Sequence, residues 1–237
     1  MNPVLDIRDS HAIVYDAECV QDPGPELFEP DWWRRAQRLT GAAPGRGSAL
    51  FVDAPFGSAV LRRYQRGGWP ARLTRDRYLF TGVRRARPML EFDLLRRLHA
   101  HGLPVPAPVA GLCSRTGLFY RGALLTHAIL GVVPLADLLG RVAAEDPVWA
   151  ATGRCLARFH RAGVGHADLN ARNILVQTAT GKVFLVDFDR GVYRPGQPRN
   201  ARAGLARLRR SLVKLWPADR IRLLEPSWLT LLEASHA

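Results

Sequence analysis

Lysine is almost missing from this chain of 237 residues, where it stands only at positions 182 and 214. Cysteine is scarce too. Cys19, Cys113 and Cys155 are odd in number and far apart, which offers neither a disulfide framework nor a zinc site and fits a reducing cytoplasm. No apolar run approaches the roughly 20 residues of a membrane span. The start, MNPVLDIRDSHAIVYD, lacks a basic stretch followed by an apolar one, so no signal peptide is expected. Acids are few, 21 against 34 basic residues, for a net charge of +13. There are no internal repeats. The chain is nevertheless 47% hydrophobic and 23% charged, which excludes a disordered tail and supplies a sizeable core. Its length suits one domain, or one domain of two unequal lobes.

The positive charge is carried by arginine and is unevenly spread. Nine arginines and one acid, Asp76, lie between Arg62 and Arg87, and seven basic residues and no acid lie between Arg194 and Lys214. Such runs point to an anionic partner: nucleic acid, an anionic membrane or a phosphorylated substrate. A solvated basic surface is the plainer alternative.

Apolar spacing orders the chain. PELFEPDWWRRAQRL is expected as a helix burying Trp32 and Trp33. ALFVD and SAVLRRY read as two strands joined at APFG. RPMLEFDLLRRLHAHG has helical spacing at Met89, Leu90, Leu94, Leu95 and Leu98, with Pro88 near its start and Gly102 past its end. LPVPAPVAG is a proline-punctuated connection, and LFYRGALLTHAI one or two strands. PLADLLGRV and DPVWAATGRCLARFHRAG are helices, ILVQ and VFLVDFD a strand pair hinged at TATGK, and the tail from Ala201 a basic amphipathic helix. Strands first and helices second predict an α+β chain of two lobes, 1–130 and 131–237.

Two acid-bearing turns abut strand-like runs. HADLNARN carries Asp168 and, five residues on, Asn173; fourteen residues later Asp187 closes VFLV. This is the spacing of a kinase catalytic loop and its metal-binding aspartate. Phosphoryl transfer asks for positioning, charge neutralisation and a group to take the acceptor's proton. Asp168 suits the base. Asn173 and Asp187, brought together by the hairpin, suit a magnesium ion that keeps several waters. Asp and Asn also serve as ordinary turn formers, but two such turns, in this order, favour the chemical reading. Upstream, AVLRRY has the form of a kinase V-A-I-K strand with Arg62 at the lysine position, facing ATP phosphates; Arg63 faces the other side. Glu91 on the following helix is the expected partner of Arg62. Gly45 and Gly47, in GRG, are candidates for a phosphate-covering turn, though the full glycine-rich pattern is absent. His166 reads as a structural hydrogen-bonder.

These segments resemble the bacterial 3-deoxy-D-manno-octulosonic acid (Kdo) kinases, relatives of the lipopolysaccharide heptose kinases. HRAGVGHADLNARNILV followed by KVFLVDFDRG carries the likeness, with VLRRYQRGG, DRYLFTG, EFDLLRRLHAHGLPVPAPVA and ARLRRSLVKL, roughly Gly45 to Leu215. Asn170 and Asp189 distinguish the motifs from those of protein kinases, which usually carry Lys and Gly there. The resemblance implies a protein-kinase-like fold with a small strand-rich N-lobe and a larger helical C-lobe. It implies ATP-dependent phosphorylation of a Kdo hydroxyl on a lipid A precursor, with magnesium, at the cytoplasmic side of the inner membrane as a peripheral protein. Carried over residue by residue, Asp168 is the base, Asn173 and Asp187 hold magnesium, and Arg62 with Glu91 form the nucleotide-side ion pair. The chain departs at His127, where relatives often carry an acid, and at Gly165, which replaces a bulkier residue before His166.

Other readings fit these residues less well. A protein kinase lacks support because no A-P-E sequence follows DFDRG. Antibiotic phosphotransferases usually line the acceptor site with acids, whereas this tail is basic. A nucleic-acid-binding module leaves Asp168, Asn173 and Asp187 unexplained and shows no recognised signature. A pseudokinase would lack metal or base residues that are all here.

Overall fold

Alternation of apolar and polar residues builds the first half of the molecule, seen in a computed structural model that describes residues 1–42, 49–65, 76–199 and 201–236. Strand β4 (Ala49–Ala54), for instance, buries Leu50, Val52 and Ala54 and leaves Phe51 and Asp53 exposed. With β1 (Pro3–Ile7), β2 (His11–Asp16), β3 (Leu39–Ala42), β5 (Gly57–Arg63), β6 (Tyr78–Leu79), β7 (Pro108–Thr116) and β8 (Phe119–His127) it forms an eight-stranded sheet. The order is β1-β2-β7-β8-β5-β4-β3, with β6 also on β8, and every pairing is antiparallel. Ile13, Phe28, Trp33, Leu61, Val109 and Leu125 centre its core.

The stretch expected as one helix from Pro25 is two pieces. A 3₁₀ turn spans Pro25–Phe28 and helix α1 spans Pro30–Arg35. The break falls at Glu29, which is extended (φ −98°, ψ 119°), because a residue preceding proline is pushed out of the helical region. Trp33 is fully buried, whereas Trp32 is half-buried and meets it edge-on.

Helix α2 (Arg87–Ala100) sits close against the sheet. A Cβ at Gly111 on β7 would lie 3.1 Å from the Pro88 carbonyl, and one at Gly122 on β8 would lie 3.0 Å from the Pro88 ring. Two glycines therefore admit the first turn of α2, and Glu91 follows within one turn.

The chain divides into two compact units, residues 1–97 with 107–128, and residues 98–106 with 129–237. The second is mainly helical. It contains α3 (Leu135–Leu138), α4 (Pro147–Arg161), α5 (Arg202–Leu215) and α6 (Leu224–His236). It also holds a small sheet of β12 (Val183–Leu185), β11 (Ile174–Gln177) and β9 (Val132–Pro134), and a ribbon of β10 (Val164–Gly165) with β13 (Val192–Tyr193). Asp146 caps α4 by accepting the Val148 N–H at 2.9 Å, the role that short acids fill at helix starts. Gly153 lets α4 and α6 approach closely: an added Cβ would overlap the Leu231 carbonyl. Trp149 stacks on Trp216, and Leu205, Leu208 and Leu212 of α5 are buried, as its apolar spacing predicts. The fold is thus mixed α+β, with an antiparallel sheet and helices.

Candidate active site

In the first unit, period-two alternation puts Arg62 and Tyr64 on one face at the end of β5 and Arg63 on the other. Arg63 lies 3.8 Å from Glu29 in an exposed ion pair. Arg62 Nη2 instead donates to Glu91 Oε2 at 2.5 Å. The Glu91 side chain is 2% exposed and that of Arg62 23%. Tyr64, itself buried, donates its hydroxyl to the same Oε2 at 2.5 Å, and the Arg62 guanidinium lies 4.7 Å from the Tyr64 ring centre. A buried carboxylate is costly unless paired and hydrogen-bonded. Here a cation and a phenol share it, and the cation is further fixed over an aromatic face. Sequence reasoning passed over Tyr64. Its signal is the i, i+2 spacing from Arg62, visible only once β5 is placed against α2. Gly45 and Gly47 lie outside the described residues.

In the second unit, HADLNARN bridges β10 and β11. Its apolar members anchor it. Leu169 and Ala171 are buried, the Ala171 N–H donates to Ser211 Oγ of α5 at 3.2 Å, and the Ala136 N–H donates to the Ala171 carbonyl at 3.1 Å. The polar members organise the turn. Asn170 Nδ2 donates to the Asp168 carboxylate and to its carbonyl, both at 3.1 Å. Its Oδ1 accepts the Arg172 N–H at 2.9 Å and the Asn173 N–H at 3.2 Å. Asn173 spends its own amide N–H on the Asp168 carbonyl, at 2.9 Å. Its side-chain oxygen is thereby turned away from that bond. Asp168 is exposed.

Asp187 is tied to this turn through Val186. The Val186 N–H donates to the Asn173 carbonyl at 3.0 Å, and the Val186 carbonyl accepts from His166 Nε2 at 2.9 Å. Pairing of Ile174 with Leu185 continues the ladder. Asn173 and Asp187 therefore stand at neighbouring ends of β11 and β12, and Asp168 is bonded to Asn173. Asp187 has φ 64°, in the left-handed region that Asp and Asn tolerate better than other side chains. Among the described residues no group of three or more His, Cys, Asp or Glu side chains forms a metal cage. Asp187 and Asn173 could offer one carboxylate and one amide oxygen, the kind of sparse set that suits a magnesium ion completed by waters and phosphate oxygens.

His166 holds the two segments in register. Nε2–H donates to Val186, and Nδ1 accepts the Asp168 N–H at 3.2 Å, so both bonds require the neutral ring. Burial lowers the His166 pKa from the ordinary 6.5, more than its neighbours raise it. Burial also lowers that of His160. A folded-state pKa below the unfolded one means that the unfolded chain binds protons first as pH falls. The stabilisation is full above 6.5 and drains as pH falls towards the folded values. Melting temperature is therefore expected to drop on acidification from pH 7.5 to 5.5, and His166→Asn to flatten part of that slope. An unchanged slope in His166→Asn refutes the assignment.

Helix α5 backs the loop. A Cβ at Gly204 would lie 3.5 Å from Leu169 Cδ2, and Arg207 is close enough to oppose protonation of His166. The buried thiols take no part: desolvation pushes Cys113 up to about 11 and Cys155 up to about 12.

Comparison with known proteins gives the family. Residues 30–234 match the lipopolysaccharide kinase (Kdo/WaaP) family. The chain is 48% identical over 215 residues to the 3-deoxy-D-manno-octulosonic acid kinase of Xanthomonas campestris pv. campestris, covering 91% of this chain and 85% of that protein. It is 46% identical, with the same coverage, to the protein of the same name from Stenotrophomonas maltophilia. Among solved structures it resembles WaaP in complex with acyl carrier protein, with a TM-score of 0.51, 18% identity and 90% of each chain covered, a likeness that concerns the fold. With nearly its whole length matched and almost half its residues shared with curated relatives, the chain belongs to the lipopolysaccharide kinase (Kdo/WaaP) family.

Proposed function

We propose that this protein is an ATP-dependent kinase that phosphorylates a hydroxyl of the Kdo sugar on a Kdo–lipid A precursor during lipopolysaccharide core synthesis. The observation that carries the reading is the bonded turn of Asp168, Asn170 and Asn173, joined through Val186 to Asp187. In this reading the chain is a protein-kinase-like pair of lobes. Residues 1–130 serve the nucleotide, and residues 131–237 carry the acceptor chemistry. Asp168 orients the acceptor hydroxyl and takes its proton, and Asn170 holds the carboxylate in place for that task. Asn173 and Asp187 would hold magnesium, which when bound neutralises phosphate charge. Arg62, fixed by Glu91 and Tyr64, contacts ATP phosphates; Gly45 and Gly47 are carried as candidates for the turn that covers them. The test is incubation with ATP, magnesium and a panel of Kdo-bearing and heptose-bearing lipid A precursors, read by mass. One added phosphate on the Kdo acceptors is expected. Phosphate only on heptose or on protein rejects the reading.

The Arg62 assignment makes a graded prediction. Arg62→Ala should raise the KM for ATP by about tenfold or more and cost roughly 3 kcal/mol of stability, because it strands Glu91 in the interior. Arg62→Lys keeps a point charge but loses the guanidinium fork, and should do less harm. Arg63→Ala should leave ATP binding near wild type. If Arg63→Ala is the worse of the two alanine variants, the nucleotide face of β5 has been misassigned.

The acceptor is an anionic lipid, and among the described residues no helix is long and apolar enough to cross a membrane. Peripheral attachment to the anionic cytoplasmic face is therefore proposed. Of the cations on α5, Arg209 is paired with Glu225 at 2.8 Å and lies over Trp228, and Arg207 is half-buried beside the loop. Arg210 and Lys214 are exposed on α5. Each basic residue near an anionic surface contributes about 1 kcal/mol, screened by salt. Arg210→Glu with Lys214→Glu is expected to reduce co-sedimentation with anionic vesicles by about tenfold or more at low salt. Wild-type binding that ignores lipid charge and salt, or a double variant that binds as well, removes α5 as the docking element.

A further inference from the structure

Gly165 has no side chain, and the space that it leaves is filled. A Cβ built there would lie 3.2 Å from Arg199 Nε, 3.3 Å from Nη2 and 3.5 Å from Cζ. Nε and Nη2 are both nearer than Cζ, so the guanidinium turns that edge towards the glycine. The backbone that delivers it is fixed in two places. The Arg199 N–H donates to the His160 carbonyl at the end of α4 at 2.9 Å, and the Arg194 N–H donates to the Gly163 carbonyl at 3.0 Å. Just before them β13 pairs with β10, Val192 opposite Gly165. Residues 192–199 thus run beside the strand that leads into the HADLN turn.

The Arg199 side chain is held without being neutralised. It is exposed, and among the described residues it forms no ion pair. Gly165 is three residues before Asp168, so their Cα atoms are at most ~10 Å apart. A planar cation with one edge against a glycine, within a sugar's reach of the proposed base, can still meet a carboxylate or phosphate with the two parallel N–H donors of its Nη1–Nη2 end. The proposed acceptor carries both: its sugar is an acid, and its lipid part is phosphorylated.

We propose that Arg199, seated on Gly165, binds an anionic group of the acceptor and so selects acidic sugar lipids. This deepens the function proposed above and rests on it. Arg199→Ala should raise the KM for the acceptor by about tenfold or more, and leave the KM for ATP and the melting temperature near wild type. Arg199→Lys should recover part of the loss. Gly165→Val should displace the guanidinium and raise the acceptor KM in the wild-type background, yet add little in Arg199→Ala, since neighbours that act through one contact are not additive.

Two altered acceptors distinguish the anion. With the sugar carboxylate esterified, or with the lipid phosphates removed, the gap between wild type and Arg199→Ala should close in one arm. A gap that closes with the ester assigns the carboxylate, and one that closes on dephosphorylation assigns the phosphate. A gap that persists undiminished in both arms, or an Arg199→Ala variant with wild-type acceptor KM, overturns the assignment while leaving the kinase reading intact. A wild-type protein that phosphorylates none of these acceptors overturns both.

Discussion

Asp168→Asn is expected to lower the rate of phosphate transfer by ~10²–10⁴-fold, the usual contribution of a positioned general base. The substitution is unusually clean at this position. Asp168 is exposed, so no buried charge is removed. Asn170 Nδ2 donates to Asp168 Oδ2, and an asparagine at 168 still offers an oxygen to that donor. The backbone carbonyl of residue 168, which accepts from both Asn170 and Asn173, is untouched. The turn should therefore keep its shape, and nucleotide affinity should stay within about twofold of wild type. The expected signature is a kcat loss with little change in either KM, measured by phosphate incorporation into a Kdo acceptor. A variant that keeps more than about a tenth of the wild-type rate shows that another group accepts the proton. Asn170→Ala provides a companion measurement. It removes the amide that holds the carboxylate and two acceptor bonds of the turn, and should cost less than Asp168→Asn at the chemical step but more in stability.

How far the sequence discloses this arrangement differs between its parts. The HADLNARN turn is legible because its residues are local: Asp168, Asn170 and Asn173 lie within six positions and bond mainly to one another. The link to Asp187 is legible because a short hairpin follows, and a two-strand connection can only bring its ends together. Arg62 and Glu91 are 29 residues apart, yet both lie on strongly patterned elements, so period-two alternation and helical spacing supply the faces. Tyr64 is hidden for the opposite reason. A tyrosine at a strand end belongs to no pattern, and its importance arises from Gly122 and Gly111, which let α2 settle onto the sheet. Arg199 is hidden more deeply, since nothing in an arginine-rich tail singles out one guanidinium until the missing Cβ of Gly165 is seen beneath it.

Other elements resist for backbone reasons. The first sixteen residues form the β1–β2 hairpin at the sheet's edge, where half-burial blurs the alternation that marks inner strands. Segments β9, β10 and β13 have two or three residues each and exist through pairing alone. Amphipathic spacing correctly gives the buried leucines of α5, but it cannot separate cations engaged by Glu225 or the loop from those left to solvent. Charge runs report that a face is basic, and tertiary contacts decide which of its charges are available.

Asp187→Asn is expected to have an effect of similar size on transfer, with a different signature. The change keeps side-chain volume and an oxygen while removing the charge. The backbone at 187 is in the left-handed region, φ 64°, where asparagine is as well accommodated as aspartate, so folding should not suffer on that account. The Val186 bonds to Asn173 and His166 are made by main-chain atoms and survive. The lost element is the carboxylate proposed to hold magnesium with Asn173, and a hard divalent cation depends on such charge. Nucleotide affinity in the presence of magnesium should therefore fall by about tenfold or more, while affinity in chelator stays at the wild-type value. Raising magnesium into the millimolar range should restore part of the rate. That recovery separates Asp187→Asn from Asp168→Asn, which magnesium should not rescue. Asp187→Ala adds a backbone penalty, since a Cβ-only side chain has no local hydrogen bond to offset the left-handed conformation, so it should melt at a lower temperature than Asp187→Asn. Equal nucleotide affinity in wild type and Asp187→Asn at every magnesium concentration rules out Asp187 as a metal ligand.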